Sequence, residues 1–333
     1  MQKARYFEKT EGSHVKCLLC PHACRLGTGE TGKCRVRTNL DGSLLTANYG
    51  LVTAIAMDPI EKKPLYHFFP GKEILSVGTF GCNLRCPFCQ NWSIAHGTPP
   101  GRKITAEYLV SAAQAAQEDG SCVGIAYTYS EPLVWYEFVK DTAVLAAAKG
   151  LKNVLVTNGM IQPAPLIELL ENIDAMNIDI KGFAAQFYKK HLGGSLKTVL
   201  NTAKTASQGG CHVEITTLIV PGLNDRKEDI RGLTGWIADN LGPDVPLHLS
   251  RYFPNYQMTA DPTPLKVMEM ARDLALEKLN YVYLGNTHLP GARNTYCPSC
   301  KAKLIDRQGY RVVLAGLEGR TCRRCGYQMV LFQ

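Results

Sequence analysis

Three cysteines lie on one short loop, directly after a predicted strand over residues 74–78. The loop reads Gly81-Cys82-Asn83-Leu84-Arg85-Cys86-Pro87-Phe88-Cys89, which gives a C-x3-C-x2-C spacing. Three thiolates on one loop hold three irons of a four-iron cubane and leave the fourth iron without a protein ligand. An open coordination position is where a metal binds and activates a small molecule. The alternative is a zinc site of three cysteines completed by a nearby histidine such as His96.

Two further C-x2-C pairs stand near the C-terminus, separated by a β-rich stretch of about 20 residues. Four thiolates on two such hairpins form the closed tetrahedral site of a zinc ribbon, and a rubredoxin-like iron is the alternative. A segment this short has little core, so the metal would supply folding free energy. Arginines beside the second pair indicate a solvated basic face, with phosphate contact as the weaker interpretation. The ligands are Cys297, Cys300, Cys322 and Cys325.

A third group, C-x2-C-x3-C-x9-C, opens the chain with Cys17, Cys20, Cys24 and Cys34. Four cysteines either close a structural zinc site or hold an auxiliary [4Fe-4S] cluster that relays electrons or binds substrate. The spacing does not decide, and we slightly favour zinc because a Gly-rich loop segment satisfies a closed site without a buried cluster pocket. His22 is interpreted as a bystander. Cys122 and Cys211 stand alone in apolar runs and are predicted to be buried small hydrophobic residues.

The elements that position these groups alternate between short apolar runs and helical runs. Such alternation predicts βα units around a parallel sheet, and about six units favour a partial barrel over an open doubly wound sheet. Strands are predicted over 74–78, 122–128, 153–157, 174–180, 212–220, 246–251 and 281–284. Helices are predicted near 105–118, 132–148, 164–172, 185–207, 225–240 and 264–278, with Thr105 as an N-cap. Chemistry in such barrels sits at the carboxyl ends of the strands.

The fold class is therefore α/β: a partial (β/α)6 barrel with a Cys-rich N-terminal segment and a C-terminal zinc ribbon. The predicted domains are 1–72, 73–290 and 291–333. The 333 residues carry 37 Lys and Arg against 29 Asp and Glu, a net charge of +8 that indicates solubility or, more weakly, an acidic partner or nucleic acid. No apolar run approaches the ~20 residues that span a bilayer. The polar N-terminus lacks a signal-peptide core, so a cytoplasmic protein is expected.

The central loop, with the aromatic Phe88 before its third cysteine, resembles the signature of radical S-adenosylmethionine (SAM) enzymes. The resemblance implies that Cys82, Cys86 and Cys89 hold a redox-active [4Fe-4S] cluster. Its open iron would take the amino and carboxylate groups of SAM. Reductive cleavage of SAM would then give methionine and a 5′-deoxyadenosyl radical that abstracts hydrogen from a substrate.

The later strand ends are similar to those of pyruvate formate-lyase activating enzymes. Residues 127–132 resemble the family's Gly-Gly-Glu-Pro segment, residues 156–159 its Asp-Thr-Asn-Gly, and residues 177–181 its Leu-Asp-Leu-Lys. Ser130 replaces a glycine, and Val156 replaces the aspartate on which a monovalent-cation site would depend. Glu131 is alternatively an exposed carboxylate that opens the next helix. The resemblance places five residues against SAM: Glu131, Thr157, Asn158, Asp179 and Lys181.

Nearly the whole chain resembles the AmmeMemoRadiSam system radical SAM proteins. The resemblance rests on residues 17–24, 58–67, 127–132 and 294–300 together with the cluster loop. It implies Memo-like and AMMECR1-like partners, and a one-electron reductant such as a flavodoxin or ferredoxin. The substrate is not identified by it. Two rival functions stay open: installation of a glycyl radical on a partner protein, and an inactive-barrel zinc-ribbon adaptor that binds nucleic acid or protein.

Overall fold

One open, eight-stranded sheet organises the molecule, whose computed structural model describes residues 1–118, 120, 122–330 and 332. Its strands are β1 (Ala54–Pro59), β2 (Glu73–Gly78), β3 (Cys122–Tyr127), β4 (Lys152–Thr157), β5 (Ala175–Asp179), β6 (His212–Ile219), β7 (Leu247–Arg251) and β8 (Val282–Gly285). Their spatial order is β8-β7-β6-β5-β4-β3-β2-β1. Strands β2 to β8 run parallel, and β1 pairs antiparallel with β2. The predicted α/β fold with a parallel sheet is confirmed.

Helices connect the parallel strands and cover the outer face of the sheet. Their bounds are Trp92–Ala95, Ala106–Glu118, Tyr136–Ala148, Pro163–Leu170, Ala185–Phe187, Leu196–Gln208, Lys227–Asn240 and Leu265–Leu276, with a 3-10 turn at Pro132–Trp135. The Thr105 hydroxyl accepts a hydrogen bond of 3.1 Å from the Tyr108 N–H, which is the predicted N-cap. Burial on both faces explains why the strands read as continuous apolar runs.

The helix expected over 185–207 is broken. A π-helical turn, Tyr188–Leu192, follows Ala185–Phe187, and the chain then turns at Gly193 with φ of 67° before Leu196–Gln208 begins. The break brings the chain against the cysteine loop: the Arg85 N–H donates to the Leu192 carbonyl over 3.0 Å. Glycine at 193 permits this left-handed turn without the steric penalty of a Cβ.

The first 53 residues of the N-terminal segment form small antiparallel sheets. Their strands are Gln2–Lys3, Phe7–Lys9, Val15–Cys17, Arg25–Leu26, Arg37–Leu40, Ser43–Thr46 and Leu51–Val52, the last of which pairs with Arg102–Lys103. Strand β1 was not predicted; it belongs to this segment yet extends the central sheet. Lone Cys122 and Cys211 are buried at 4% and 7% exposure, as predicted.

The C-terminal segment packs on the last strands of the sheet. Its strands are Thr295–Tyr296, Lys303–Gln308, Arg311–Val313, Leu317–Glu318 and Thr321–Cys322. The buried Arg307 guanidinium donates to the Tyr66 carbonyl over 2.7 Å and lies 4.2 Å from the centre of the Tyr66 ring. The division into three domains at 72/73 and 290/291 stays a proposal, and residues 331 and 333 of the last one lie outside the described residues. Within the described part, no helix is both long and apolar enough to cross a bilayer.

Candidate active site and metal centres

The cysteine loop follows the carboxyl end of β2 and packs against the N-terminal segment. Gly81 has φ of 98°, and a Cβ there would lie 2.5 Å from Cγ1 of Val36 and 2.9 Å from the Cys34 carbonyl oxygen. The His22 ring Nε2–H donates to the Asn83 carbonyl over 2.7 Å. Only glycine fits the backbone at 81, so the loop is held close to the N-terminal cysteines.

The three thiols of the loop do not crowd together. Among the described residues, the only group of three or more ligand atoms lying within 4.8 Å of one another is at the C-terminus. A tetrahedral zinc with Zn–S bonds of about 2.3 Å places its sulfurs about 3.8 Å apart, which Cys82, Cys86 and Cys89 do not match. His96 instead contacts the Arg35 guanidinium, with 2.9 Å between Nδ1 and the nearer nitrogen. A three-cysteine zinc site completed by His96 is therefore not supported.

Burial keeps the thiols of the loop protonated unless a metal displaces their protons. Burial raises the pKa of the Cys86 thiol to about 12, although the Lys181 ammonium acts in the opposite direction. Cys82, whose pKa burial also raises, faces the negative charge of Glu131. A thiolate at such a place exists only when a metal stabilises it. Three such thiols on one loop are the donor set that suits iron–sulfur ligation, and the aromatic Phe88 beside them is buried.

Asn158 ties the end of β4 to the cysteine loop. Its side-chain amide donates to the Asn83 side-chain oxygen over 2.9 Å and lies 3.6 Å from the Cys82 sulfur. Its own oxygen accepts from the Met160 N–H. N–H groups that face a ligating sulfur tune the electron density on the metal. Asn158 thus contacts Cys82, a predicted cluster ligand, directly.

Glu131 is buried, at 2% exposure, and its carboxylate accepts three internal hydrogen bonds. The donors are the Leu133 N–H at 3.0 Å, the Thr157 hydroxyl at 2.6 Å and the Asn158 N–H at 2.8 Å. Burial nonetheless raises its pKa to about 7. The carboxylate caps the turn after β3 and clamps it to the end of β4. Its assignment as the acceptor for the SAM amino group stays a prediction.

Asp179 and Lys181 form a half-exposed ion pair at the end of β5, with 2.9 Å between Nζ and Oδ2. Burial would lower the pKa of Lys181, but the negative charges of Asp179 and Cys86 outweigh it and raise the pKa. The ammonium therefore stays charged beside the cysteine loop. Unlike Glu131, the Asp179 carboxylate keeps accessible acceptor positions, because its side chain is 30% exposed.

The C-terminal cysteines converge as predicted. Cys297 and Cys325 have their sulfurs 3.6 Å apart, and Cys300 and Cys322 theirs 3.7 Å apart. These separations match the edges of a ZnS4 tetrahedron with bonds of about 2.3 Å. The site is a closed four-cysteine metal site consistent with a zinc ribbon. The basic residues on its second knuckle, Arg320, Arg323 and Arg324, are exposed.

The N-terminal cysteines lie together without converging to a point. Cys17, Cys20, Cys24 and Cys34 line one small cavity, closed by apolar side chains that include Leu19 and Val134. No three of their sulfurs lie within 4.8 Å of one another, since in the described chain only the C-terminal group meets that limit. The slight preference for zinc here stays a prediction.

Two residues that contact the cysteine loop or belong to it were given no role in the site from the sequence. His22, interpreted as a bystander of the N-terminal metal group, contacts the cysteine loop, and Asn83 links it onward to Asn158. The position of His22 between Cys20 and Cys24 was the available signal. His248 belongs to a buried network with Glu214, at 2.6 Å, and Arg251 donates to the Thr263 carbonyl. These contacts hold the His248 and Arg251 side chains within the fold.

Residues 76–233 match the family model described as the radical SAM superfamily. The chain is 44% identical over 333 residues to an uncharacterised protein of Methanocaldococcus jannaschii, with 98% of each chain covered. It is 31% identical over 164 residues to the pyruvate formate-lyase-activating enzyme of Clostridium pasteurianum, which covers 48% of this chain and 67% of that enzyme.

Solved structures show the same fold at low sequence identity. SuiB of Streptococcus suis aligns with a TM-score of 0.52 and 15% identity, over 70% of this chain and 53% of SuiB. A radical SAM methyltransferase from Sphaerobacter thermophilus aligns with a TM-score of 0.51 and 14% identity, over 65% and 67%. A largely parallel sheet is the architecture that these structures share with the chain, whose three-cysteine loop follows the carboxyl end of β2. The chain belongs to the radical SAM superfamily and is related to its activating enzymes.

Proposed function

We propose that this protein cleaves SAM reductively at a [4Fe-4S] cluster held by Cys82, Cys86 and Cys89, and that it abstracts hydrogen from a substrate. The observation that carries the proposal is the widely spaced three-cysteine loop at the carboxyl edge of the sheet, beside the Lys181–Asp179 pair. A bound cluster with SAM supplies one-electron cleavage of the sulfonium and a 5′-deoxyadenosyl radical. The three thiolates and the open iron position suit that chemistry.

The chain's own residues would bind SAM and orient the cysteine loop. Asp179 offers a carboxylate to the hydroxyl or amino groups of SAM, in charge-assisted hydrogen bonds. Lys181 keeps its positive charge next to the cysteine loop and balances the thiolates. Asn158 contacts Cys82 and aligns the loop, while the Thr157 hydroxyl donates to Glu131. Electrons come from a one-electron reductant such as a flavodoxin or ferredoxin.

Anaerobic reconstitution tests the proposal. The reduced protein should show an EPR signal of a [4Fe-4S] cluster that changes on addition of SAM, and it should form 5′-deoxyadenosine. Cys86→Ala should lose the SAM-dependent change of the EPR signal and the formation of 5′-deoxyadenosine, while keeping the C-terminal metal. Cys122→Ala is the matched control, because Cys122 is a buried cysteine remote from the loop and should retain both. Undiminished SAM cleavage by Cys86→Ala would overturn the proposal, and a colourless, inactive wild type would favour the adaptor function.

A second candidate is the installation of a glycyl radical on a partner protein. The similarity to the Clostridium pasteurianum activating enzyme favours it, although that similarity spans about half of this chain. Substrate labelled with deuterium separates the two. Label that reaches 5′-deoxyadenosine from a small metabolite supports direct catalysis, and label from a glycine of a partner protein supports activation. Memo-like and AMMECR1-like proteins are the first partners to include.

A further inference from the structure

The three cysteine groups of this chain fall into two geometric kinds. At the C-terminus, two pairs of sulfurs approach to 3.6 and 3.7 Å, which suits one metal ion. In the cysteine loop of the proposed active site and in the N-terminal group, no three sulfurs come within 4.8 Å of one another among the described residues. The C-terminal group therefore shows the sulfur separations of a single-ion site within this chain. The sulfurs of the N-terminal group are less closely grouped than these, as are the sulfurs of the cysteine loop.

The space between the N-terminal cysteines has the character of a cluster site. All four cysteines line one cavity, walled by the buried side chains of Leu19, Leu26 and Val134. A cubane carries its thiolates on four separate irons, so its ligands stand further apart than those of one ion. Exclusion of water by apolar walls is also one of the features that set the reduction potential of such clusters.

A buried cation faces the same cavity. Arg37 is 1% exposed and lines the cavity, with NH1 3.8 Å from the Cys17 sulfur. Its guanidinium pairs with Glu137 and donates to the Arg5 carbonyl, yet its Nε has no acceptor within the described chain. A buried donor without an acceptor is rare in folded proteins. A cluster with four thiolate ligands is anionic, and the NH1 group of Arg37 beside Cys17 would offer it a charge-assisted hydrogen bond.

We propose that Cys17, Cys20, Cys24 and Cys34 hold a second [4Fe-4S] cluster next to the first. Four thiolates leave no iron open, so this cluster stores and passes electrons and does not bind substrate. The contacts between the sites are short: His22, two residues from both Cys20 and Cys24, donates to the Asn83 carbonyl beside Cys82. Two residues span at most about 7 Å. The reductant loses one electron, the second cluster gains it and passes it to the first.

The identity of the second cluster does not rest on the proposed function, whereas its role as a relay does. The test is metal analysis of the full chain carrying Cys82→Ala, Cys86→Ala and Cys89→Ala, reconstituted with iron and sulfide. About four irons, four sulfides and one zinc per chain are expected. Adding Cys20→Ala and Cys24→Ala should remove the iron and keep the zinc, which also reports that the protein is folded. Adding Cys122→Ala instead should keep the iron.

Two zinc ions and no iron in the triple variant would overturn the second cluster, as would one zinc and no iron. Failure of the proposed function gives a different result: the wild type would then hold the same four irons as the triple variant. Adjacency is tested by EPR of the fully reduced wild type. Spin coupling should broaden its spectrum beyond the sum of the two single-cluster variants. A spectrum equal to that sum would show that the two clusters are not neighbours.

Discussion

Single residues at the mouth of the barrel divide into those that hold the site together and those that face its opening. Glu131 belongs to the first kind, because three internal donors occupy its carboxylate. Asp179 belongs to the second, because its side chain is 30% exposed and contacts the ammonium of Lys181. The sequence resemblance treats both acidic residues as SAM ligands. Their different burial allows the two roles to be separated by experiment.

Asp179→Asn should weaken SAM binding and lower the melting temperature less than Glu131→Gln does, because Asp179 is 30% exposed. A charge-assisted hydrogen bond contributes about 1.5–3 kcal/mol, and ~1.4 kcal/mol corresponds to one decade of affinity. The expected loss is therefore about ten- to a hundredfold in Kd, measured by isothermal titration with the reconstituted protein. Unchanged affinity would mean that the pocket lies elsewhere.

Glu131→Gln should instead lower the melting temperature. The amide nitrogen would face the Asn158 N–H or the Thr157 hydroxyl and leave a buried donor unpaired, at a cost of about 1–3 kcal/mol. Thermal unfolding of the two variants under identical conditions checks this. If Glu131→Gln melts like the wild type while its SAM affinity falls as far as that of Asp179→Asn, Glu131 is a ligand as the resemblance implies.

At the scale of elements, the strands were predictable and the contacts between distant segments were not. The ends of strands β2 to β8 lie within one residue of the predicted ones, because parallel strands buried on both faces give continuous apolar runs. Strand β1 was missed because its residues Ile55 and Met57 are exposed and it lies at an edge. The break at Gly193 had a local signal, the run Gly193-Gly194-Ser195, which is typical of a turn and was not used. Strand β1 instead depends on pairing with β2, which local sequence does not encode.

Gly81 gives a test of how the N-terminal segment supports the cysteine loop. Gly81→Ala combines a left-handed backbone, at about 1–2 kcal/mol, with overpacking against Val36 and Cys34, at about 1–3 kcal/mol. We expect a total loss of about 2–5 kcal/mol and a lower iron content after reconstitution. Gly150→Ala is the control: its φ is 75°, but nothing lies within 4 Å of its added Cβ. Equal effects of the two substitutions on stability and iron would contradict the close packing at Gly81.

At the scale of the whole molecule, buried polar contacts connect the C-terminal metal site to the central sheet. Arg307 lies between the two, with hydrogen bonds to the Tyr66 carbonyl and the Thr295 hydroxyl and with Glu61 at 3.8 Å. Tyr283 of β8 donates or accepts a hydrogen bond of 2.8 Å with the same Thr295 hydroxyl. Loss of order at the metal site therefore reaches the last strand of the sheet. The metal should stabilise the barrel as well as its own segment.

Cys322→Ser tests this coupling. Cys322 is 2% exposed, and its sulfur lies 3.7 Å from that of Cys300, so its replacement opens the four-cysteine site. We expect the loss of one bound zinc per chain and, because loss of a structural metal costs about 4 kcal/mol or more, a fall of roughly 8 °C or more in Tm. Cys211→Ser places the same hydroxyl at another buried cysteine, 7% exposed and remote from the metal, and should keep the zinc. Metal analysis and calorimetry of both variants decide: if zinc content and Tm of Cys322→Ser equal those of the wild type, the segment is not a zinc ribbon.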